Sequence, residues 1–258
     1  MNTGSAVTFP TPPLGPRPVD GEHATSWPHG RVGLLASVAT LAEVDQALAL
    51  GADIVDLKDP RRGALGAWPA AFVPEAVGRV GSRGPISATV GDLPMVPELL
   101  AAAARRTAAS GVHIVKIGFF AGGDHEACAR ALAPVAGGGV RLVAVLMADQ
   151  RPDLGIVTAL AEAGFFGAML DTADKRAGGL RRHLDDSRLA RFVADARGAG
   201  LLTGLAGSLG LADVGPLAEL GPDYLGFRGA LCGGGERTAG LDAAAFAEVR
   251  AALAAAVR

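Results

Sequence analysis

The chain has 258 residues, half of them apolar, with 24 basic against 26 acidic side chains and two cysteines, Cys128 and Cys232. A chain of this length can bury about 70–75% of its unfolded surface, so one large core is within reach. The charge balance argues against a nucleic-acid partner, the cysteine count against a disulfide or cysteine-rich metal scaffold, and the lack of any apolar run near the roughly 20 residues of a span against a membrane partner.

Residues 1–30 contain six prolines (Pro10, Pro12, Pro13, Pro16, Pro18 and Pro28) and no apolar period. This composition predicts a disordered tail, with an arm packed on a second copy of the chain as the alternative. No charged region followed by an apolar stretch opens the chain, so a signal peptide is not expected and a cytoplasmic setting follows.

From residue 31 to 258 short apolar runs alternate with Ala/Leu-rich stretches of helical character. Strands are expected at Val32–Ser37, Asp53–Lys58, Ile86–Val90, Val112–Ile117, Arg141–Met147, Gly167–Asp171, Leu201–Ala206 and Tyr224–Phe227. Helices are expected at Leu41–Leu50, Val96–Ala109, His125–Leu132, Leu154–Ala163, Arg188–Gly198, Ala212–Leu220 and Ala243–Val257. The strands are continuously apolar, as parallel strands buried on both faces are. Gly51, Gly111, Gly164, Gly200 and Gly221 stand where a left-handed helix cap is needed. Eight such units predict an α/β fold, a single (β/α)8 TIM barrel over 31–258. A doubly wound open sheet is the alternative, but no G-x-G-x-x-G follows the first strand.

Of the 24 basic residues 21 are arginines; the lysines are Lys58, Lys116 and Lys175. All three fall at or just past the ends of even-numbered strands, where a barrel keeps its chemistry. Alternation points Asp56 and Lys58 the same way on the second strand, into the barrel mouth. Lys116 ends the fourth strand, Asp171 the sixth, and Lys175 follows in the loop. Ordinary ion pairs are the plain alternative, although buried pairs are weak stabilisers. An amine lowered in pKa by burial and neighbouring charge can attack a carbonyl, which a guanidinium cannot. A second Lys or an Asp can then move protons at the adjacent carbon. This is Schiff-base aldolase chemistry, needing no cofactor, and either Lys58 or Lys116 could carry the covalent step.

Gly207 and Ser208 after the seventh strand, and Arg228 and Gly229 after the eighth, fit a phosphate grip; a simple turn is the alternative. Asp92 could line the mouth. Arg61-Arg62-Gly63 could hold a second phosphate, with a plain solvated loop as the equal alternative, and Asp149 is a weaker rim candidate. His23, His29, His113, His125 and His183 show no ligand spacing, so no metal site is expected.

The stretches GADIVDLKDP (51–60), GALG (63–66), SATVGD (87–92), VKIG (115–118), LDTADK (170–175), AGSL (206–209) and FRGALC (227–232) resemble the (5-formylfuran-3-yl)methyl phosphate synthases of methanofuran biosynthesis. The resemblance runs from about Leu34 to Leu253. It implies a lysine-dependent barrel lyase that condenses two glyceraldehyde 3-phosphates into a furan aldehyde phosphate, losing phosphate and water. It also implies Lys58 as the Schiff-base lysine, Lys116 as a proton acceptor, and Asp56, Asp171 and Lys175 as supporting residues, with a methylofuran-type cofactor as the pathway's end. Small phosphorylated aldehydes are then the partners. Another phosphate-gripping aldolase or sugar-phosphate isomerase is the rival enzyme reading; an inactive scaffolding subunit is the non-enzyme one, and predicts decay of the Asp56/Lys58/Lys116/Lys175 set.

Overall fold

The computed structural model describes residues 30–256, so the expected tail lies outside the described residues. The elements run β1 Gly33–Val38, α1 Leu41–Ala49, β2 Ile54–Leu57, α2 Val73–Val80, β3 Ile86–Thr89, α3 Pro97–Ala108, β4 Ile114–Phe119, α4 His125–Gly137, β5 Arg141–Met147, α5 Val157–Glu162, β6 Gly167–Asp171, α6 Leu180–His183, α7 Asp186–Gly198, β7 Leu202–Leu205, α8 Val214–Glu219, β8 Tyr224–Phe227 and α9 Ala243–Ala256. The strands pair in sequence order and β8 closes onto β1, all in parallel. This is the expected (β/α)8 barrel.

Local signals set the helix ends. The Thr40, Asp124 and Asp185 side chains accept the amide N–H three residues on, at the starts of α1, α4 and α7. Gly51, Gly111, Gly164, Gly200 and Gly221 all have positive φ, between 71° and 88°, the conformation a non-glycine residue resists.

Strand parity sorts the core into two shells. Val55 and Leu57 face outward and pack with the helices. Leu35, Ile54, Ile114, Val143, Val145, Met169 and Tyr224 fill the barrel. The Tyr224 ring lies against Gly204, where an added Cβ would sit 2.3 Å from a ring atom. Both cysteines are buried and free, and none of the described helices is long and apolar enough to cross a membrane.

Three features differ from expectation. The sequence period does not show α2, because Pro74 and Gly78 dilute its apolar pattern, nor α6, which is a single four-residue turn. Strand β4 starts later and runs on to Phe119, so Lys116 is the third of its six residues rather than the terminal one. The strand extends because Gly118 and Phe119 still pair with Val145 and Leu146 of β5. Lys116 therefore sits deeper in the barrel than Lys58.

Candidate active site

The register aligns Ser37 of β1 with Asp56 of β2, Asp56 with Ser87 of β3, and Thr89 of β3 with Lys116 of β4. Inward-pointing positions on these strands meet in a polar layer above the apolar plug. The Asp56 carboxylate accepts from Ser37 Oγ at 3.0 Å, Ser87 Oγ at 2.6 Å and Lys116 Nζ at 3.0 Å. Across the mouth, Asp171 accepts from Lys58 Nζ at 3.3 Å and from Lys175 Nζ at 2.5 Å. Lys175 also donates to the Thr172 carbonyl. The five expected residues thus converge, as three amines interleaved with two carboxylates.

These groups are nearly dry. Asp56 and Asp171 are 0% and 1% exposed, Lys116 1% and Lys58 7%. Burial is the largest influence on each carboxyl and pushes it up, but the ammonium groups outweigh it. Lys116 and Lys58 bring Asp56 below the usual carboxylate range. Lys175 and Lys58 bring Asp171 well below it. Burial pushes the Lys116 ammonium down, with Lys58 adding to the effect and Asp56 opposing it. Burial also lowers Lys175, against Asp171.

The amines differ in access. Lys116 has 2% of its side chain exposed and Lys58 9%. Lys175 is held by Asp171 and by Thr172. Lys58 keeps one long hydrogen bond and lines the same cavity as Lys116, Lys175, Gly207, Ser208 and Arg228.

Gly207 and Ser208 both have positive φ, 110° and 48°. Positive φ is uncommon for serine and often marks a constrained functional turn. The Gly207 and Ser208 amide N–H groups donate to no partner among the described residues. Arg228 lines the cavity, but all of its N–H groups are engaged: by Glu43 on two of them, and by the Ser37, Arg237 and Ala239 carbonyls. Gly229 opens the turn just beyond.

The weaker candidates fall outside the cavity. Asp92 accepts from the Ala64 and Leu65 amides at 2.7 Å each, fixing the loop after β2. Asp149 accepts from the Ala173 and Asp174 amides, fixing the loop that carries Lys175. Arg61 and Arg62 form an exposed turn. His113 precedes β4 at the far end and bonds the Ile86 amide. Arg237, in the loop after β8, lines the cavity and was missed. Its only sequence signal is an arginine beside a glycine run. A second, open groove between α4 and α5 is rimmed by Asp124, Glu126, Asp153 and Glu162; that charge suits no phosphate.

A family model described as 4-HFC-P synthase matches residues 34–250. The chain belongs to the 4-HFC-P synthase family. It is 44% identical over 223 residues to a Methylorubrum extorquens chain named as a candidate (5-formylfuran-3-yl)methyl phosphate synthase, covering 86% of this chain and 92% of that one. It is 36% identical over 225 residues to the (5-formylfuran-3-yl)methyl phosphate synthase of Methanothermobacter thermautotrophicus, covering 80% and 92%. Among solved structures, a 3-hexulose-6-phosphate synthase superposes with a TM-score of 0.64 at 16% identity, covering 86% of this chain and 100% of that one. A thiamine phosphate pyrophosphorylase from Pyrococcus furiosus superposes at 0.61 and 12%, covering 89% and 98%. Those two likenesses concern the barrel alone. Relatives named as synthases argue for an enzyme over a scaffolding subunit.

Proposed function

We propose that the chain condenses two glyceraldehyde 3-phosphates into (5-formylfuran-3-yl)methyl phosphate through a Schiff base on Lys58, on the way to a methanofuran-type cofactor. One observation carries this reading: three amines and two carboxylates share one dry pocket, and Lys58 is the amine with a single long hydrogen bond facing the cavity.

Lys58 Nζ attacks the aldehyde carbon of one triose phosphate, and the carbonyl oxygen leaves as water to give an iminium. Lys116, favoured as the free base by burial, takes the proton from the adjacent carbon and leaves an enamine. The enamine expels its β-phosphate, and the terminal carbon of the resulting enol attacks the C2 carbonyl of the second triose phosphate, which has isomerised to the ketose through its enediol, forming the new carbon–carbon bond. Asp56 orients Lys116 and stabilises its protonated form. Asp171, bonded to both Lys58 and Lys175, links these amines for proton transfer to departing oxygens. The C1 hydroxyl of the second triose then closes the ring, loss of two waters makes the furan aromatic, and hydrolysis of the iminium releases Lys58 and the formyl group. Two triose phosphates thereby give one furan phosphate, one inorganic phosphate and two waters. A phosphate rests against the Gly207 and Ser208 amides, with Arg228 in the facing wall and Gly229 just behind it in the next turn.

Borohydride reduction in the presence of glyceraldehyde 3-phosphate, followed by peptide mapping, tests the covalent step. The reduced adduct is expected on Lys58; an adduct elsewhere or none removes that residue from the role. Product analysis separates the rival barrel enzymes. A furan gives a near-ultraviolet band with release of inorganic phosphate, and a simple aldol or isomerised sugar gives neither.

A further inference from the structure

Two guanidinium groups line the cavity, and their surroundings are opposite. Arg228 has 8% of its side chain exposed and sits against Glu43, with Nη1 2.6 Å from one carboxylate oxygen and Nη2 3.1 Å from the other. Its remaining N–H groups donate to Ser37 O at 3.1 Å, Arg237 O at 2.7 Å and Ala239 O at 2.7 Å. An arginine offers five N–H donors, and here none is left for a ligand. The Glu43 carboxylate also cancels its charge, and that carboxylate is fixed in turn by the Ala39 amide at 2.6 Å.

Arg237 has the reverse character. One N–H, on Nη2, donates to Gly63 O at 3.2 Å across the mouth; the others meet no acceptor among the described residues, and no carboxylate forms an ion pair with it. It is partly buried, and burial lowers its pKa, with Arg228 pushing the same way and Asp171 and Asp92 opposing. A half-dry guanidinium with most of its donors idle calls for an anion.

The chain goes to some length to hold it there. The 232–241 loop is closed at its neck by the Cys232–Leu241 bridge and by the Gly233 amide donating to Gly240 O. Arg228 supports the loop from beneath by gripping the carbonyl of Arg237 itself. On the facing side Gly63 has φ +123°, and an added Cβ there would lie 2.1 Å from an Asp92 oxygen, so the acceptor for Arg237 is also fixed.

Charge agrees with this placement. With Lys116 as the free base, Lys58 and Lys175 balance Asp56 and Asp171. Arg237 then leaves the mouth with a net positive charge, while the Arg228–Glu43 pair adds nothing. That excess suits a phosphate anion.

We propose that Arg237 is the side chain that recognises the phosphate of the substrate, and that Arg228 is a positioning residue that holds the Arg237 loop. The assignment rests on the proposed use of a phosphorylated aldehyde, and it deepens that reading by naming the specificity residue.

The test uses the full chain and inorganic phosphate as the probe. Calorimetric titration of the wild type should show phosphate binding, weakened 10- to 100-fold in Arg237→Ala and partly recovered in Arg237→Lys. In Lys58 adduct formation, the preference for glyceraldehyde 3-phosphate over unphosphorylated glyceraldehyde should fall by a similar factor, which a merely structural role would not produce. The Arg237 side chain makes a single hydrogen bond to the protein, so both variants should melt close to the wild type. Phosphate affinity unchanged in a folded Arg237→Ala protein, or no phosphate binding by the wild type, overturns the assignment. If phosphate binds in an Arg237-dependent way but no Lys58 adduct forms, the anion site stands and the proposed reaction falls.

Discussion

Asp56 and Lys116 form a pair whose worth depends on both members. Each is fully buried, and desolvation of two charges offsets much of their attraction. Removing one partner strands the other. Lys116→Met should therefore destabilise by about 3–5 kcal/mol, and the double variant Asp56→Leu with Lys116→Met should recover most of it; urea denaturation measures both. The same pair sets a pH profile. Burial lowers the Lys116 pKa and Asp56 raises it, so the free base appears below the ordinary lysine value of about 10.4 and the rate rises with pH through that range. Asp56→Asn removes the raising influence, so the rising limb should move to lower pH. Asp171 obeys the opposite sign. Its pKa is depressed in the fold by Lys175 and Lys58 against burial, so its stabilisation is present above the unfolded carboxylate value of about 3.9 and fades as pH falls through the folded value. The stability gap between wild type and Asp171→Asn should be full at neutral pH and shrink only under strong acid. Much of this was legible in the sequence, because lysine scarcity and strand parity pointed to the same residues. The choice between Lys58 and Lys116 was not, because access depends on depth in the barrel.

The loops carry what strand periodicity cannot express. The strands read clearly because parallel barrel strands are apolar on both faces, and the glycine caps marked where helices end. By contrast, α2 hid behind Pro74 and Gly78, and the two-residue extension of β4 was set by pairing with β5. Asp92 and Asp149 looked like mouth residues but hold backbone amides, a role that only the folded loops define. Arg237 escaped because its importance comes from contacts made across the barrel mouth. The Gly207–Ser208 turn was found by sequence, and its geometry makes a prediction. At φ +110° an alanine is strained, and its Cβ would lie 3.0 Å from Thr172 Cγ2. Strain of this kind costs about 1–3 kcal/mol. Gly207→Ala should lower the melting temperature by several degrees and raise the KM for the phosphorylated aldehyde, as a thermal melt and steady-state rates will show.

Closure of the sheet is what turns separate strand ends into one site. Lys58, Lys116 and Asp171 come from β2, β4 and β6 or their immediate ends, up to 113 residues apart in sequence, yet the parallel register brings all of them to one mouth. The opposite end is plugged by Tyr224 over Gly204, so a ligand has one way in. A mouth with excess positive charge is a strained condition in the free protein, since like charges are confined in a dry cavity. A bound anion relieves it in the folded state and has no equivalent site in the unfolded chain. Linkage then requires that phosphate stabilise the fold, by about 2.7 kcal/mol when its concentration is 100 times the dissociation constant. For a domain of this size each kcal/mol shifts the melting temperature by roughly 2–4 °C. Melting in phosphate should therefore exceed melting in chloride of equal ionic strength by roughly 5–10 °C near saturation. The shift should shrink in Arg237→Ala, and equal melting temperatures in the two salts would show that the mouth does not hold the anion.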